Sequence, residues 1–323
     1  MKTKSYQSLV EHDQVRALID NVEQVVVGKR REVELSVVAL LCGGHVLLED
    51  VPGVGKTMMV RAIAKSIGAA FKRIQFTPDL LPSDVTGVSV FNQKEMVFQF
   101  RPGPVMSNIV LADEINRTSP KTQAALLEAL EEGSVTVDGE TRELEDPFLV
   151  MATQNPIEYS GTYPLPEAQL DRFLFKFKIG YPTKSEELDV LNRVENNHPI
   201  ERIQEVLSLT DVTAMKTDVQ DVRVHDSIKQ YIIDLVTSTR LHHAVSLGAS
   251  PRASIALMKA AQAFAFMQGR TYAVPDDVKF LAPFVLRHRM ILTSDAKLSN
   301  QTSERVVTEV IEQVRVPAGE EMR

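Results

Sequence analysis

The stretch HVLLEDVPGVGKTMMV, residues 45–60, constrains the fold most, because a buried strand runs into a tight turn with two glycines and then into a helix. Glycines allow positive φ, so the backbone N–H groups of the turn can approach a ligand closely. The helix dipole directs its positive end at the same place and favours an anion. Lys56 then suits the β and γ phosphates of a nucleotide, and the Thr57 hydroxyl suits Mg²⁺. This is the P-loop arrangement, which predicts ATP as the ligand.

The predicted nucleotide-binding residues of this stretch are Pro52, Gly53, Val54, Gly55, Lys56, Thr57 and Met58. One position departs from the pattern G-x-x-x-x-G-K-[ST], since Asp50 stands where the first glycine is expected. A strand–turn–helix corner with a merely solvated lysine is the alternative for this motif taken alone. The acidic and basic residues further along the chain favour the P-loop.

The length and composition indicate a folded globular chain. Its 323 residues suffice for one large or two ordinary domains, and 44% hydrophobic with 24% charged residues is close to the average for such proteins. The first residues, MKTKSYQSLVEHDQ, lack the apolar run of a signal peptide, and the apolar stretches are shorter than the roughly 20 residues of a membrane span. We therefore expect no transmembrane segment and a cytoplasmic location.

The cysteine, histidine and charge content disfavours several kinds of site. Cys42 is the only cysteine, which excludes intrachain disulfides and cysteine metal clusters and favours a small buried hydrophobe. His242 and His243 are adjacent and on a helix would point in different directions, so they predict no shared metal ion. The net charge of −7 comes without a basic tail, and we expect no nucleic-acid partner.

Five short apolar runs alternate mostly with helical patterns between residue 45 and about residue 180. The runs are HVLLE, FKRIQF, NIVLAD, FLVMATQ and FLFKFKI. This alternation predicts an α/β fold, a doubly wound parallel five-stranded sheet. Strands disappear after Thr183, which predicts a smaller, all-helical C-terminal lid domain. The Gly180 to Pro182 stretch marks the boundary, so the predicted domains are residues 1–182 and 183–323.

Polar residues follow the third and fourth of these strands. Asp113 and Glu114 end the run IVLADE, and Asn155 ends ATQN, so all three should reach the edge of the sheet beside the P-loop. Asp113 could hold Mg²⁺, Glu114 could deprotonate the attacking water, and Asn155 could orient that water or the γ-phosphate. An ordinary acidic strand end is the alternative for the two carboxylates.

Two arginines are candidates for stabilising the charge of phosphoryl transfer. Arg172 follows a short helical stretch in PLPEAQLDRF, and Arg252 lies in the first turn of a helix in GASPRASIAL. An arginine at a helix start is disfavoured by the dipole, which suggests an anionic partner, and the arginine fork matches the equatorial oxygens of the phosphoryl group. For Arg172, a surface salt bridge with Asp171 or Glu167 is the alternative.

The order of these features resembles the AAA+ ATPases, and four longer stretches resemble one branch, the MoxR family. The stretches are EDVPGVGKT, DEINRTSPKTQAALLEALEEG, ATQNPIEYSGTYPLPEAQLDRF and GASPRA, within a resemblance that covers about residues 15–315. It implies that Lys56 and Thr57 belong to Walker A, Asp113 and Glu114 to Walker B, Asn155 to sensor 1, Arg172 to the arginine finger and Arg252 to sensor 2. Asp50 is also usual for this branch.

The resemblance extends to two inserts and to an adenine-binding segment. VSVFNQKEMVFQF predicts a hairpin like the helix-2 insert of the family, and SVTVDGETREL predicts a second hairpin that turns at Asp138 and Gly139. A structural role for the second hairpin is as plausible as a contact with substrate. VVVGKR at residues 25–30 resembles the segment that packs against adenine, with Val27 and Gly28 as the candidate residues.

The sequence therefore predicts a Mg-ATP-hydrolysing remodelling ATPase that works as a homo-oligomeric ring, with a hexamer as the expected size. Family resemblance implies a chaperone-like role towards partner complexes, with a von Willebrand A domain protein as one partner. A magnesium chelatase-like ATPase subunit and a nucleic-acid motor remain as alternatives. A nucleotide-gated adaptor without hydrolysis is disfavoured by the intact set of Lys56, Asp113, Glu114, Asn155 and Arg172.

Overall fold

A computed structural model of the chain describes residues 10–51, 53–155, 162–195 and 199–317. Pro52, one of the predicted nucleotide-binding residues, lies outside the described residues. Within the described ranges, no helix is both long enough and apolar enough to cross a membrane.

Nine strands and six helices precede residue 180 in the described part of the chain. In chain order they are α1 (Asp13–Glu23), α2 (Arg30–Leu41), β1 (Val46–Glu49), α3 (Lys56–Ser66), β2 (Phe71–Gln75), α4 (Pro82–Thr86), β3 (Gly87–Asn92), β4 (Val97–Pro102), β5 (Ile109–Asp113), α5 (Pro120–Glu132), β6 (Ser134–Val137), β7 (Glu140–Glu143), β8 (Leu149–Gln154), α6 (Glu167–Leu170) and β9 (Phe175–Phe177). Two short 3₁₀ helices lie at Pro104–Met106 and Ile115–Arg117.

The C-terminal region consists mainly of helices. In chain order its elements are α7 (Lys184–Val194), α8 (Pro199–Arg202), α9 (Leu209–Gln220), α10 (Asp226–Leu241), β10 (Val245–Leu247), α11 (Pro251–Met267), α12 (Pro275–Leu286), β11 (Ile291–Leu292), α13 (Ser294–Leu298) and α14 (Ser303–Gln313).

Five strands form one parallel sheet in the order β2-β5-β8-β1-β9. Every residue of β5 is buried, and the other central strands are nearly as apolar, as expected for a parallel sheet covered on both faces. The predicted fold class, a five-stranded parallel α/β sheet followed by a helical region, is confirmed. The order also sets the carboxyl ends of β1, β8 and β5 side by side, where α/β sheets bind their ligands.

The two faces of the sheet belong to two separate apolar cores. Val46 and Leu48 of β1 pack into a core that continues through α1, α2 and α3 into the C-terminal helices, whereas Leu47 packs into a smaller core with α5. Successive side chains of a strand point to opposite faces, so a run without polar residues supplies both cores at once. The larger core joins the sheet to the C-terminal helices.

Two hairpins extend from the sheet region. β3 pairs with β4 in antiparallel register, and β6 pairs with β7. At the tip of the second hairpin Asp138 and Gly139 both have positive φ, 53° and 80°, as a type I′ turn requires. Phe91 and Phe98 lie opposite each other on the first hairpin, with ring centroids 5.2 Å apart.

One detail of the predicted fold is wrong, since the C-terminal region is not all-helical. β10 and β11 form a short antiparallel pair in which Val245 is the partner of Leu292. Strands of three and two residues are too short for an alternating apolar pattern to be recognised in a sequence. The pair connects the chain between α10 and α11 to the segment that follows α12.

Candidate active site

The turn between β1 and α3 has the conformation that an anion site requires. Gly53 and Gly55 have φ of 86° and 89°, in the left-handed region where a side chain would be strained. A Cβ placed on either residue would meet no atom within 4 Å, so the space beside both glycines is open. α3 begins at Lys56, directly after Gly55. The N-terminus of α3 and the open turn together offer positive partial charge to a ligand.

Asp50, which departs from the glycine of the motif, is part of the frame of this loop. The residue is buried, and its carboxylate Oδ2 accepts hydrogen bonds from the backbone N–H groups of Ile179, at 2.5 Å, and Gly180, at 3.0 Å. Its carbonyl oxygen accepts a 3.0 Å hydrogen bond from the Lys56 ammonium. Asp50 thus ties the start of the P-loop to the segment after β9.

The two acids at the end of β5 are joined by a threonine of the neighbouring strand. The Thr153 hydroxyl donates to Asp113 Oδ1 at 2.6 Å and accepts from the backbone N–H of Glu114 at 2.8 Å. Glu114 has φ of 58°, a left-handed conformation that a non-glycine residue adopts only when its surroundings enforce it. Thr153 therefore fixes the directions of both carboxylates.

Polar side chains of β2 and of the 3₁₀ turn after β5 also contact the acids. The Arg73 guanidinium donates to Asp113 Oδ2, with Nη2 at 2.5 Å. Gln75 and Arg117 both donate to Glu114 Oε2, at 2.8 Å and 2.9 Å. Sequence reasoning did not predict the roles of Arg73, Gln75 or Thr153. The alternating polar residues of FKRIQF and the threonine of ATQN are the features of the sequence that could have indicated these roles. They do so only once the strand order is known, because that order places β2 and β8 on either side of β5.

A cavity of about 440 Å³ brings most of the predicted catalytic and phosphate-binding residues together. The predicted residues that line it are Gly53, Gly55, Lys56, Thr57, Met58, Asp113, Glu114 and Asn155. Arg73 and Gln75 complete the lining. Two cationic groups, two carboxylates, a hydroxyl and two amides thus face one space, which suits a polyanion and a reaction that moves a proton.

A second cavity, of about 190 Å³, shares Gly53, Gly55 and Met58 with the first and has a mostly apolar lining. Val27 and Val54, both predicted to bind nucleotide, line it. α7 contributes Val190, Arg193 and Val194, which sequence reasoning missed because about 160 residues separate them from the Val27 segment. An apolar recess beside a phosphate-binding turn suits a purine base.

Gly28 has a role in forming this apolar recess, although it does not line it. Its φ is 69°, a conformation in which a side chain would be strained, and a Cβ there would lie 2.0 Å from Glu186 Oε1 of α7. The Arg193 guanidinium donates to the carbonyl oxygens of Glu23 and Gln24 and holds α7 against the same loop. Gly28 therefore lies against the helix that covers the recess, and Arg193 holds that helix to the loop.

The two predicted arginines lie elsewhere. Within the described chain, neither Arg172 nor Arg252 lines the two cavities, and both pair with Glu131 of α5. Arg172 Nη2 is 3.0 Å from Glu131 Oε2, and Arg252 Nη2 is 2.5 Å from Glu131 Oε1. Arg172 therefore forms its salt bridge with Glu131, and not with Asp171 or Glu167 as the alternative from the sequence had it.

In the described part of the chain, Cys42, His45 and the acidic side chains do not form a competing site. In the described residues no group of three or more His, Cys, Asp and Glu side chains could hold a metal ion. Burial raises the pKa of Cys42 to about 12, so this thiol is not a nucleophile at neutral pH, and burial lowers the pKa of His45 to about 4. The oxygen donors of Thr57 and Asp113 in the larger cavity suit a hard cation such as Mg²⁺.

Comparisons with known proteins agree with this geometry. The model of the ATPase family associated with various cellular activities (AAA) matches residues 45–175, and that of the AAA lid domain matches residues 237–310. The uncharacterized protein YeaC of Bacillus subtilis is 63% identical over 306 residues, 95% of this chain and 96% of the relative. Chaperone MoxR1 of Mycobacterium tuberculosis is 43% identical over 315 residues, 95% of this chain and 83% of the relative. A crystal structure of a protein from Cytophaga hutchinsonii superposes with a TM-score of 0.89 at 41% identity, covering 95% and 96% of the two chains.

The sheet order, the P-loop after β1 and the acids after β5 define a P-loop ATPase of the AAA+ class. Within that class, the match to the AAA lid domain and the 43% sequence identity to MoxR1 over 95% of this chain indicate one family. The chain belongs to the MoxR family of AAA+ ATPases.

Proposed function

We propose that the protein binds and hydrolyses Mg-ATP as a homo-oligomeric ring of six subunits and uses this cycle to remodel or activate a partner protein complex. The observation that carries the proposal is the cavity in which Lys56, Thr57, Asp113, Glu114 and Asn155 meet. The proposal also explains why the two arginines that phosphoryl transfer needs are outside that cavity, since a neighbouring subunit could supply them.

Binding would use both cavities. The Lys56 ammonium and the N–H groups of the turn at Gly53 and Gly55 would neutralise and hold the phosphates. The apolar recess lined by Val27 and covered by α7 would take the adenine. Thr57 and Asp113 would hold Mg²⁺, which would supply positive charge that lowers the repulsion between the phosphates and the attacking water.

Hydrolysis would use Glu114 and Asn155. The oxygen of a water molecule attacks the γ-phosphorus while the bond from that phosphorus to the bridging oxygen of ADP breaks. Glu114 accepts the proton that the water loses, and the products are ADP and inorganic phosphate. Asn155 donates a hydrogen bond that orients the water without adding charge. Gln75 and Arg117, which hold Glu114 Oε2, keep the base directed at the cavity.

A ring would complete the site. In a closed cyclic assembly each interface joins two different faces of the chain, so the cavity of one subunit can meet the face of the next that carries Arg172 and Arg252. Two guanidinium groups there would stabilise the charge that develops on the γ-phosphate. Arg252, with 59% of its side chain exposed, is accessible for such a contact.

A protein partner is supported by the family and by the first hairpin. MoxR1 is named a chaperone, and the exposed side chains of this hairpin include Phe98 and Met96, 73% and 71% exposed. Apolar side chains on a hairpin suit a protein surface better than a phosphate backbone. A von Willebrand A domain protein is the partner that the family resemblance suggests. The nucleic-acid motor and the magnesium chelatase subunit have less support.

Two variants test the ATPase assignment. Lys56→Ala removes the charge that faces the phosphates and should abolish detectable binding in a titration with a fluorescent nucleotide. Glu114→Gln keeps the shape of the side chain but removes the base, so ATP should bind and persist while turnover falls on the order of 10²- to 10⁴-fold. Parental affinity in Lys56→Ala would contradict the P-loop assignment, and parental turnover in Glu114→Gln would assign the base to another residue.

A mixing experiment tests the ring. Arg172→Ala and Glu114→Gln chains should each be inactive alone, yet an equal mixture should recover activity. About a quarter of the interfaces would then join an intact Glu114 to an intact Arg172, and roughly that share of activity is the upper limit. Labelled chains establish that subunits have exchanged. Full exchange without recovery, or a fully active Arg172→Ala enzyme, would remove Arg172 from the neighbouring site and make Arg117 the next candidate.

A further inference from the structure

Glu131 is the shared partner of the two arginines. It is the next-to-last residue of α5, and each of its carboxylate oxygens forms an ion pair with one guanidinium, Oε2 with Arg172 and Oε1 with Arg252. Arg172 follows α6, whereas Arg252 lies in the first turn of α11. One carboxylate therefore joins side chains from two distant parts of the chain.

A second acidic residue joins the backbone segments that carry these arginines. Asp171, directly before Arg172, accepts from the Ser250 hydroxyl at 2.9 Å and from Arg289 Nε at 2.6 Å. Ser250 is the N-cap residue of α11, two positions before Arg252. The spacing between the two arginine-bearing segments is thus already determined by Asp171, and Glu131 acts on the ends of the side chains.

The electrostatics of this group are suited to presenting two cations side by side. Two guanidinium groups repel each other, and a carboxylate between them offsets that repulsion while leaving a net positive charge. Each long side chain also loses rotamer freedom when it is ordered, so ordering both in advance reduces the cost at the moment they contact a phosphate. About 30% of the Glu131 side chain is exposed, so the group lies at the protein surface.

We propose that Glu131 is a positioning residue that holds Arg172 and Arg252 as one unit for the ATP site of the neighbouring subunit. The inference rests on the proposed function, because it requires that Arg172 acts across a subunit interface. Glu131 itself touches no nucleotide of its own subunit in this view. It acts through the two arginines and therefore belongs to the same face of the ring as they do.

The variants are Glu131→Ala, Glu131→Gln and, as a matched control, Glu132→Ala, which removes an exposed carboxylate from the next position of the same helix. Glu131→Ala should lower kcat about ten-fold or more and leave nucleotide affinity unchanged, since Glu131 lines neither cavity among the described residues. Glu131→Gln keeps one acceptor oxygen and should give an intermediate kcat. Glu132→Ala should match the parent.

Mixing separates a positioning role from a structural one. Glu131→Ala chains mixed with Glu114→Gln chains should recover activity, because an intact arginine pair then meets an intact cavity at about a quarter of the interfaces. The same chains mixed with Arg172→Ala should recover none, because both carry the defect on the same face. Parental kcat in Glu131→Ala, or equal recovery with both partners, would overturn the proposal.

The mixture of Arg172→Ala with Glu114→Gln serves as the reference in the same experiment. Without recovery in this reference, the placement of Arg172 in the neighbouring site fails, and the role of Glu131 fails with it. With recovery in the reference but none for Glu131→Ala and Glu114→Gln, only the role of Glu131 fails.

Discussion

The Asp50 carboxylate accepts a hydrogen bond from the backbone N–H of Gly180, 3.0 Å away, and ties the first residue of the P-loop to the segment after β9. The same oxygen accepts from Ile179. Asp50 occupies the position at which the general P-loop pattern has glycine. The departure from the motif is therefore a structural contact that a glycine could not make.

We expect Asp50→Gly to lower the free energy of unfolding by about 2 to 4 kcal/mol, although it restores the general motif, because the buried N–H of Ile179 and the partly buried N–H of Gly180 lose their acceptor. Asp50→Asn keeps one acceptor oxygen and should lose less. Urea unfolding of the three proteins without nucleotide measures both differences. Equal midpoints for the parent and Asp50→Gly would show that the two hydrogen bonds contribute nothing to stability.

Thr153 gives a second prediction. Thr153→Val has nearly the same shape, but it leaves the N–H of Glu114 without its acceptor and frees one oxygen of Asp113. Residues that orient a metal ligand or a catalytic acid in this way typically contribute ten- to a hundred-fold, so kcat should fall by roughly that factor. The Mg²⁺ concentration for half-maximal rate should rise.

Thr153→Ser is the control for this prediction, since it retains the hydroxyl and should stay within a few-fold of the parent. Steady-state ATPase rates at saturating ATP, measured across a magnesium titration, compare the three proteins. A Thr153→Val enzyme with the parental kcat would show that the hydroxyl bridge does not direct the two acids.

The sequence alone predicts the residues at the strand ends of the candidate site, but it does not predict the contacts between neighbouring strands. Lys56, Thr57, Asp113 and Glu114 are recognisable because each stands at the end of a strand or in the turn or helix start that follows it, and the parallel sheet brings those strand ends together. Thr153 stands in ATQN, beside the predicted Asn155, but its contacts depend on β8 lying beside β5. That strand order is a tertiary property.

Contacts between residues far apart in the chain could not be predicted from the sequence pattern. The hydrogen bond from Gly180 to Asp50 spans 130 positions, and the one from Arg252 to Glu131 spans 121. Neither acid has a local signal, since Glu131 ends an ordinary acidic helix and Asp50 is a strand-end carboxylate. The first pair depends on β9 lying beside β1, and the second depends on how the C-terminal helices pack against the sheet region.

His45 makes the stability depend on pH. It is buried, its Nδ1 accepts from the N–H of Val150, and burial lowers its pKa from 6.5 to about 4. The unfolded chain therefore binds a proton between pH 6.5 and 4 that the folded chain does not. The contribution of neutral His45 is complete above pH 6.5 and is lost as the pH falls through this window, by about 2 kcal/mol at pH 5.

Urea midpoints at pH 7.5 and pH 5 measure this loss. His45→Gln cannot titrate in the window, so its midpoint should change less between the two pH values than that of the parent. Burial also holds the pKa of His288 well below its usual range, so the variant should keep part of the pH dependence. An identical pH dependence in the variant and the parent would exclude His45 as a source.

The hairpin tips give the last prediction. We expect no measurable binding to single- or double-stranded DNA at physiological salt, because phosphate binding needs clustered basic residues. The tip of the second hairpin carries Asp138 and Glu140, and that of the first carries Gln93, Lys94 and Glu95. The net charge of −7 adds a general repulsion.

Fluorescence anisotropy with labelled oligonucleotides tests this expectation across a salt series. A double variant, Asp138→Lys with Glu140→Lys, is the matched comparison, because it places two cations at the tip of a hairpin whose backbone turn is otherwise unchanged. The parent should show no binding up to about 100 μM, whereas the variant should gain weak binding that falls with salt. Micromolar binding by the parent with a steep salt dependence would instead favour the nucleic-acid motor, and would assign the contact to a basic surface away from the two tips.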